Sequence, residues 1–123
     1  MDNNTFHKNV LINLFEEAVK AADPYNIIGR YLPKKPPEGR TVIIGAGKAS
    51  ARMAKSFEEN WVNRDFGPIE GIVITRYGHA EKCRYVEVIE ASHPVPDKLG
   101  LQGTSRIIKL ISGLGHKDLL VFL

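Results

Sequence analysis

At 123 residues, with 43% hydrophobic and 25% charged residues, the chain is long enough for one domain with a core and unlike a disordered segment. Its 17 basic and 14 acidic residues leave a formal charge of +3, and the basic ones are scattered, not gathered into a stripe with interleaved aromatics, which argues against nucleic-acid binding. Its one cysteine, Cys83, excludes an internal disulfide and fits a reducing, cytoplasmic setting; no apolar run approaches the roughly 18 residues that a membrane span needs, and the N-terminus has no signal-peptide core.

Phe6, Val10, Leu11, Leu14, Phe15, Ala18 and Ala22 recur at three- and four-residue steps, which predicts a helix over 4–22 with one apolar face. Asn4 or Thr5 would cap it, and Glu16 would pair with Lys20. Asp23-Pro24 restarts the chain, with Asp as N-cap and Pro at the first helical position. A short second helix over 25–32 follows, with Ile27, Ile28 and Tyr31 turned inward. The proline-rich stretch 33–39 is neither helix nor good strand and reads as a stiff connector. Thr41-Val42-Ile43-Ile44 lacks polar alternation, the habit of a central parallel strand buried on both faces. Gly45-Ala46-Gly47-Lys48-Ala49 breaks it. A helix then begins at Gly47 or Lys48 and runs to about Asn63, with Met53, Phe57 and Trp61 as its core stripe.

The second strand, 71–75, is again almost wholly apolar and runs into Arg76-Tyr77-Gly78-His79. The third, 85–89, alternates somewhat and so belongs nearer a sheet edge. Only about ten residues join the two, without helical periodicity, where a parallel crossover usually takes a dozen or more; the direction of the third strand stays open. The loop 91–97 is stiffened by Pro94 and Pro96. Asp97 caps a helix running to about Leu114, with Leu101, Thr104, Ile107, Ile108 and Ile111 inside. A fourth strand, 118–123, is the most apolar, and the chain ends inside it, which we read as the mark of a fragment. This alternation predicts an α/β fold: a three-layer α/β/α sandwich on a mostly parallel, Rossmann-like sheet, incomplete at its C-terminal end.

In such sheets ligands sit beyond the carboxyl ends of the strands. Those ends carry 45–48, 76–79 and 92–97. The first is the most suggestive, because strand, glycine-lysine turn and helix in that order aim backbone N–H groups, a lysine and the positive end of a helix at one spot. A dinucleotide fingerprint fits at Gly45 and Gly47, but Ser50 stands at the third glycine and Thr75-Arg76 where a ribose-binding acid belongs; Arg76 would suit a 2′-phosphate. A P-loop fails, since Val42 replaces its first glycine and Ala49 its hydroxyl residue. The third reading is another kind of phosphate or carboxylate cradle, with Lys48 as a point charge. Beside all three stands a plain tight turn whose lysine points at water.

Four stretches in register make the sequence more specific. Ala22-Asp23-Pro24, Ile44-Gly45-Ala46-Gly47-Lys48-Ala49 with Met53-Ala54, Gly71 to His79, and Glu90 to Asp97 with Gly100-Leu101 run through nearly the whole chain. In order and spacing they resemble the N-terminal part of the glycerate 2-kinase family, the type with a C-terminal MOFRL domain, whose members are also labelled hydroxypyruvate reductases. Ser92 departs from the family's usual glycine. Family members are also several times longer: a glycine- and serine-rich loop, the rest of this domain and a second domain are missing here. The resemblance therefore implies that 1–123 is the N-terminal portion of one α/β kinase domain, with a helical lead-in over 4–32 and the sheet from 41.

It further implies transfer of the ATP γ-phosphoryl group to the 2-hydroxyl of D-glycerate, with Mg²⁺ or another divalent cation, in a cleft between two domains. Lys48 inherits an active-site role by position. Gly45, Gly47, Ala49 and Ser50 would complete a phosphate- or substrate-binding turn. From their place at strand ends and in loops, Arg76 and Tyr77 are candidates to line the cleft, as are His79, which also reads as a turn residue, and His93, which could instead brace its loop. No metal ligand is expected in this stretch; Asp97 reads as a helix cap, and Cys83 has no partner at zinc-ligand spacing. The alternatives are an NADP-dependent hydroxypyruvate reductase and an inactive truncated module.

Overall fold

The apolar runs become four strands of one sheet: β1 (Thr41–Ala46), β2 (Glu70–Arg76), β3 (Val86–Ala91) and β4 (Leu119–Phe122). Their order is β3-β2-β1-β4 and every neighbouring pair is parallel. The third strand is therefore parallel, and it lies at an edge. The computed structural model describes residues 3–123.

The helices are α1 (Asn3–Ala22), α2 (Pro24–Ile27), α3 (Ser50–Asn63) and α4 (Lys98–Ile111), with a single 3₁₀ turn at Ile28–Tyr31. Successive strand residues point to opposite faces. On one face Ile43, Val73 and Val86 meet Ala54, Phe57 and Trp61 of α3 in the main core. Trp61 has no exposed surface. Its ring stacks on Phe57 at 5.3 Å, meets Phe66 edge-on at 5.1 Å, and its indole N–H donates to the Gly67 carbonyl at 3.1 Å. On the other face α4 lies against β2 and β3, so closely at Gly103 that a methyl group there would come within 2.9 Å of the Ile74 side chain. The sandwich thus has three layers.

A buried carboxylate explains how β2 reaches a parallel β3 through the helix-free stretch 77–85. Glu58, on α3, accepts the backbone N–H groups of Arg84, Tyr85 and Val86 at 2.6, 2.8 and 3.0 Å. These charge-assisted bonds satisfy the incoming end of β3, a task usually left to a crossover helix.

Several expected burials fail. Tyr31 is 78% exposed, because the 3₁₀ turn rotates it away from the body; Leu32 takes the core position instead. Leu101, Thr104 and Ile108 of α4 face outward, and Ile107 and Ile111 are half-buried, because α4 spans two strands and has no neighbour on its far side. In α3, Met53 is half-buried beside the buried Phe57 and Trp61. In α1 no residue is buried. Lys20 there pairs with Glu17 at 3.6 Å, one helical turn back on its other neighbouring row, and not with Glu16. The lead-in is held through its short second part: Asp23 caps α2 by accepting the Tyr25 N–H at 3.0 Å, and Ser56 donates to the Tyr25 carbonyl at 2.8 Å.

Candidate anion-binding site

Two crossovers leave this sheet in opposite directions. The connection from β1 through α3 leads to β2, and that from β3 through α4 returns past β2 and β1 to β4. The strand order therefore reverses between β1 and β4, and the crevice beyond the carboxyl ends at such a point is where open α/β sheets hold ligands. The glycine-lysine turn lies there.

Bonds to the neighbouring strand fix its shape. The Gly47 N–H donates to the Ile74 carbonyl at 2.9 Å. The Ser50 hydroxyl is buried, 2.8 Å from the carbonyl oxygens of both Gly47 and Ile74. The Thr75 hydroxyl donates to the Lys48 carbonyl at 3.3 Å. Ser50 therefore serves the site by holding the turn, with its hydroxyl already engaged. Gly47 has φ of 143°, a conformation that side chains rarely adopt, and nothing lies within 4 Å of where its side chain would stand. Gly45 differs: it is buried, and a methyl group there would strike the Leu123 carbonyl. The close approach of β4 requires that glycine, whatever binds.

Ala46, Gly47, Lys48 and Ala49 are all exposed. α3 has no side-chain cap at its N-terminus. The N–H groups of Lys48, Ala49, Ala51 and Arg52 meet no acceptor among the described residues. Lys48 has no ion-pair partner there either. Uncommitted N–H groups, the positive end of α3 and a free ammonium make a seat for a phosphate or carboxylate.

The next cation along α3 is committed elsewhere. Arg52 forks onto Asp23, with Nε to Oδ1 at 2.7 Å, and reaches Glu81 with Nη1 at 3.0 Å; Lys55 holds the other Glu81 oxygen at 3.2 Å. The Arg52 hydrogen bond holds the Asp23 carboxyl below its usual range, and the bond from Lys55, then that from Arg52, does the same for Glu81. No spacing rule could find this cluster, because each carboxylate lies 29 residues from Arg52 along the chain.

The remaining predicted residues do not converge on the turn. Arg76 is exposed at the end of β2, the strand that braces it. Tyr77 leans the other way, its hydroxyl donating to Asp97 at 2.7 Å, while Asp97 also caps α4 through the Gly100 N–H at 3.0 Å. His79 is an exposed turn residue whose N–H donates to the Arg76 carbonyl at 3.1 Å. His93 is exposed and precedes Pro94 through a cis peptide bond. It follows β3, two strands from β1 and so roughly 10 Å across the sheet. Among the described residues no group of three or more His, Cys, Asp or Glu is placed to hold a metal ion. The Cys83 thiol is pushed up to about 11, by burial first and the Glu58 charge second, and stays protonated at neutral pH. No helix of the described residues is long and apolar enough to cross a membrane.

Residues 10–123 match the family described as a domain of unknown function, DUF4147. The chain belongs to the DUF4147 family. This places it in the N-terminal part of the glycerate 2-kinase family that its sequence resembles. A protein of Agrobacterium vitis with a provisional hydroxypyruvate reductase name is 43% identical to this DUF4147 chain over 121 residues, 98% of the chain and 27% of that protein. A D-glycerate 2-kinase of Thermotoga maritima is 32% identical over 117 residues, again 27% of its length. The crystal structure of a glycerate kinase from Thermotoga maritima superposes with a TM-score of 0.76 at 28% identity, covering 96% of the DUF4147 chain and 28% of that structure. The chain thus spans about a quarter of the length of the relatives it matches.

Proposed function

We propose that this chain supplies the substrate-anchoring part of a glycerate 2-kinase, in which Lys48 and the open N–H groups at the start of α3 hold an anionic group of ATP or D-glycerate during phosphoryl transfer to the 2-hydroxyl. The observation that carries this reading is the uncommitted Lys48 at the chain-reversal crevice. Phosphoryl transfer depends on holding anions in place and neutralising charge on the moving group. An ammonium beside fixed N–H donors does both, with Gly47 admitting the ligand to the backbone. A divalent cation would neutralise further phosphate charge when bound; its ligands would come from the substrate or from parts of the family fold outside these residues. Turnover needs that remainder, so the chain alone anchors without catalysing. A cytoplasmic setting goes with this reading.

The second reading, an NADP-dependent reductase of hydroxypyruvate, draws on the name of the Agrobacterium vitis relative and on exposed Arg76, where a 2′-phosphate would lie. Titrating the ¹⁵N-labelled chain with ATP, D-glycerate and NADPH separates the two. The kinase reading expects ATP or D-glycerate to shift the amide signals of 47–52, with binding weakened about tenfold or more by Lys48→Ala, the worth of one charged hydrogen bond. Binding of NADPH alone, lost on Arg76→Ala, would replace it with the reductase.

A further inference from the structure

We infer that the proline-rich connector 33–38 and the turn 116–118 form a second binding site, at the amino ends of β1 and β4, for a small phosphorylated molecule that carries two or more negative charges. The site lies at the far end of β1 from Lys48, roughly 20 Å along the strand. It is independent of the kinase reading.

The two segments border a cavity of about 900 Å³, within the range that small-molecule sites occupy. Its frame is fastened at both ends. Arg64 donates to the Pro33 carbonyl at 3.3 Å, and the adjoining Leu32 is buried in the core. At the far end the Gly39 N–H donates to the Lys117 carbonyl at 2.9 Å, and the Leu119 N–H to the Arg40 carbonyl at 2.8 Å. The approach there is so close that a methyl group on Gly39 would strike the Asp118 carboxylate. Between the fastenings Pro36 and Pro37 restrict the backbone. A connector held in this way has little freedom left to lose when a ligand settles.

The charges around this cavity are unevenly matched. Lys34 and Lys35 line it and have no ion-pair partner among the described residues. Both carboxylates of the lining are engaged. Asp118 accepts the Arg40 N–H on Oδ1 at 2.6 Å and the Gly115 N–H on Oδ2 at 2.8 Å. These two bonds, Gly115 first, hold its carboxyl below the usual range. Glu38 pairs with Lys117 at 3.1 Å, an exposed pair of the kind that holds weakly and can give way to a stronger anion. Ammonium groups bind phosphate as point charges, without the fixed geometry that a guanidinium demands. His116 brings a further ring nitrogen to the same space, and Pro33, Pro37 and Leu119 give the body of a ligand an apolar wall. A single carboxylate would leave one of the neighbouring lysines unanswered; a phosphate with two charges answers both.

The test is titration of the ¹⁵N-labelled 123-residue chain with inorganic pyrophosphate, against sodium chloride at matched ionic strength. Pyrophosphate should shift the amide signals of 34, 35, 38, 39 and 116–118 and saturate them, with a dissociation constant of about 1 mM or below. The double variant Lys34→Ala, Lys35→Ala should weaken this binding about tenfold or more, with its melting temperature unchanged within about 2 °C because both side chains are exposed. A control that removes the same charge elsewhere, Lys8→Ala with Lys82→Ala, should change it by less than about twofold, since distant exposed charges are screened. Shifts that never saturate, or that chloride reproduces, overturn the proposal. So does equal weakening by the two double variants, which would mean an adventitious ion only, drawn by net charge. Signals of 47–52 are scored separately and against Lys48→Ala, so the kinase reading and this site can each fail alone.

Discussion

α1 and α3 carry the same kind of sequence signal and meet opposite fates. Both place apolar side chains at helical spacing, yet α3 buries Ala51, Ala54, Phe57 and Trp61 whereas α1 buries nothing. Their connections differ. α3 joins two strands that pair with each other, so the crossover itself presses it onto the sheet. α1 is joined to the body at its C-terminal end, through the Asp23 cap and α2. Hydrophobic periodicity identifies the face that would gain from burial; topology decides whether anything arrives to cover it.

The sharpest way to break this comparison is one truncation in each helix. Trp61→Ala should destabilise the chain by about 3–5 kcal/mol, as large core deletions do, while Phe15→Ala in α1 should change stability by less than about 0.5 kcal/mol. Urea denaturation measures both, and equal effects would mean that α1 packs on the body after all. Next in size is Glu58→Gln, which replaces one acceptor oxygen with a donor facing three backbone N–H groups. A loss of about 1–3 kcal/mol is expected, with faster amide exchange confined at first to 84–86.

Acid should loosen the attachment between α3 and the lead-in by a smaller amount. The Asp23 and Glu81 carboxyls titrate below their usual values when folded. Their contribution is therefore complete above the unfolded values near pH 4 and is lost as pH falls through the lower folded ones. Arg52→Ala should flatten the pH dependence of stability below about pH 4; an unchanged slope would place the acid-sensitive contact elsewhere. The smallest effect concerns Cys83. With its thiol at about 11, alkylation at pH 8 should be far slower than for a free cysteine peptide and should speed up in urea.

Much of this fold was legible in the sequence, for physical reasons. The largely apolar runs at 41–44 and 71–75 are what two-sided burial demands, and Asp23-Pro24 and Asp97 announce their helix starts by capping chemistry. The direction of β3 was not legible, because it depends on Glu58, whose partners lie 26 to 28 residues away. The exposure of Leu101 and Ile108 was missed because a helical stripe does not tell how wide the surface beneath it is. At the candidate site, the turn and Lys48 stood out by residue type. The separate reasons for Gly45 and Gly47 did not: one accommodates a neighbouring strand and the other leaves open space. The commitment of Arg52 to Asp23 and Glu81 was equally invisible.

The fastening of the glycine-lysine turn to Ile74 and Thr75 links recognition to folding. On the proposed reading, an anion settling on Lys48 would meet donors already in register, so occupancy would tighten the seam between β1 and β2 and leave the loop's shape as it was. A ligand bound only by the native chain raises its stability in proportion to the logarithm of its concentration above the dissociation constant. Heating curves recorded against a panel of small anions would therefore make the sheet its own sensor, and compounds that delay melting in the natural chain but not in Lys48→Ala would name the chemistry of the proposed site.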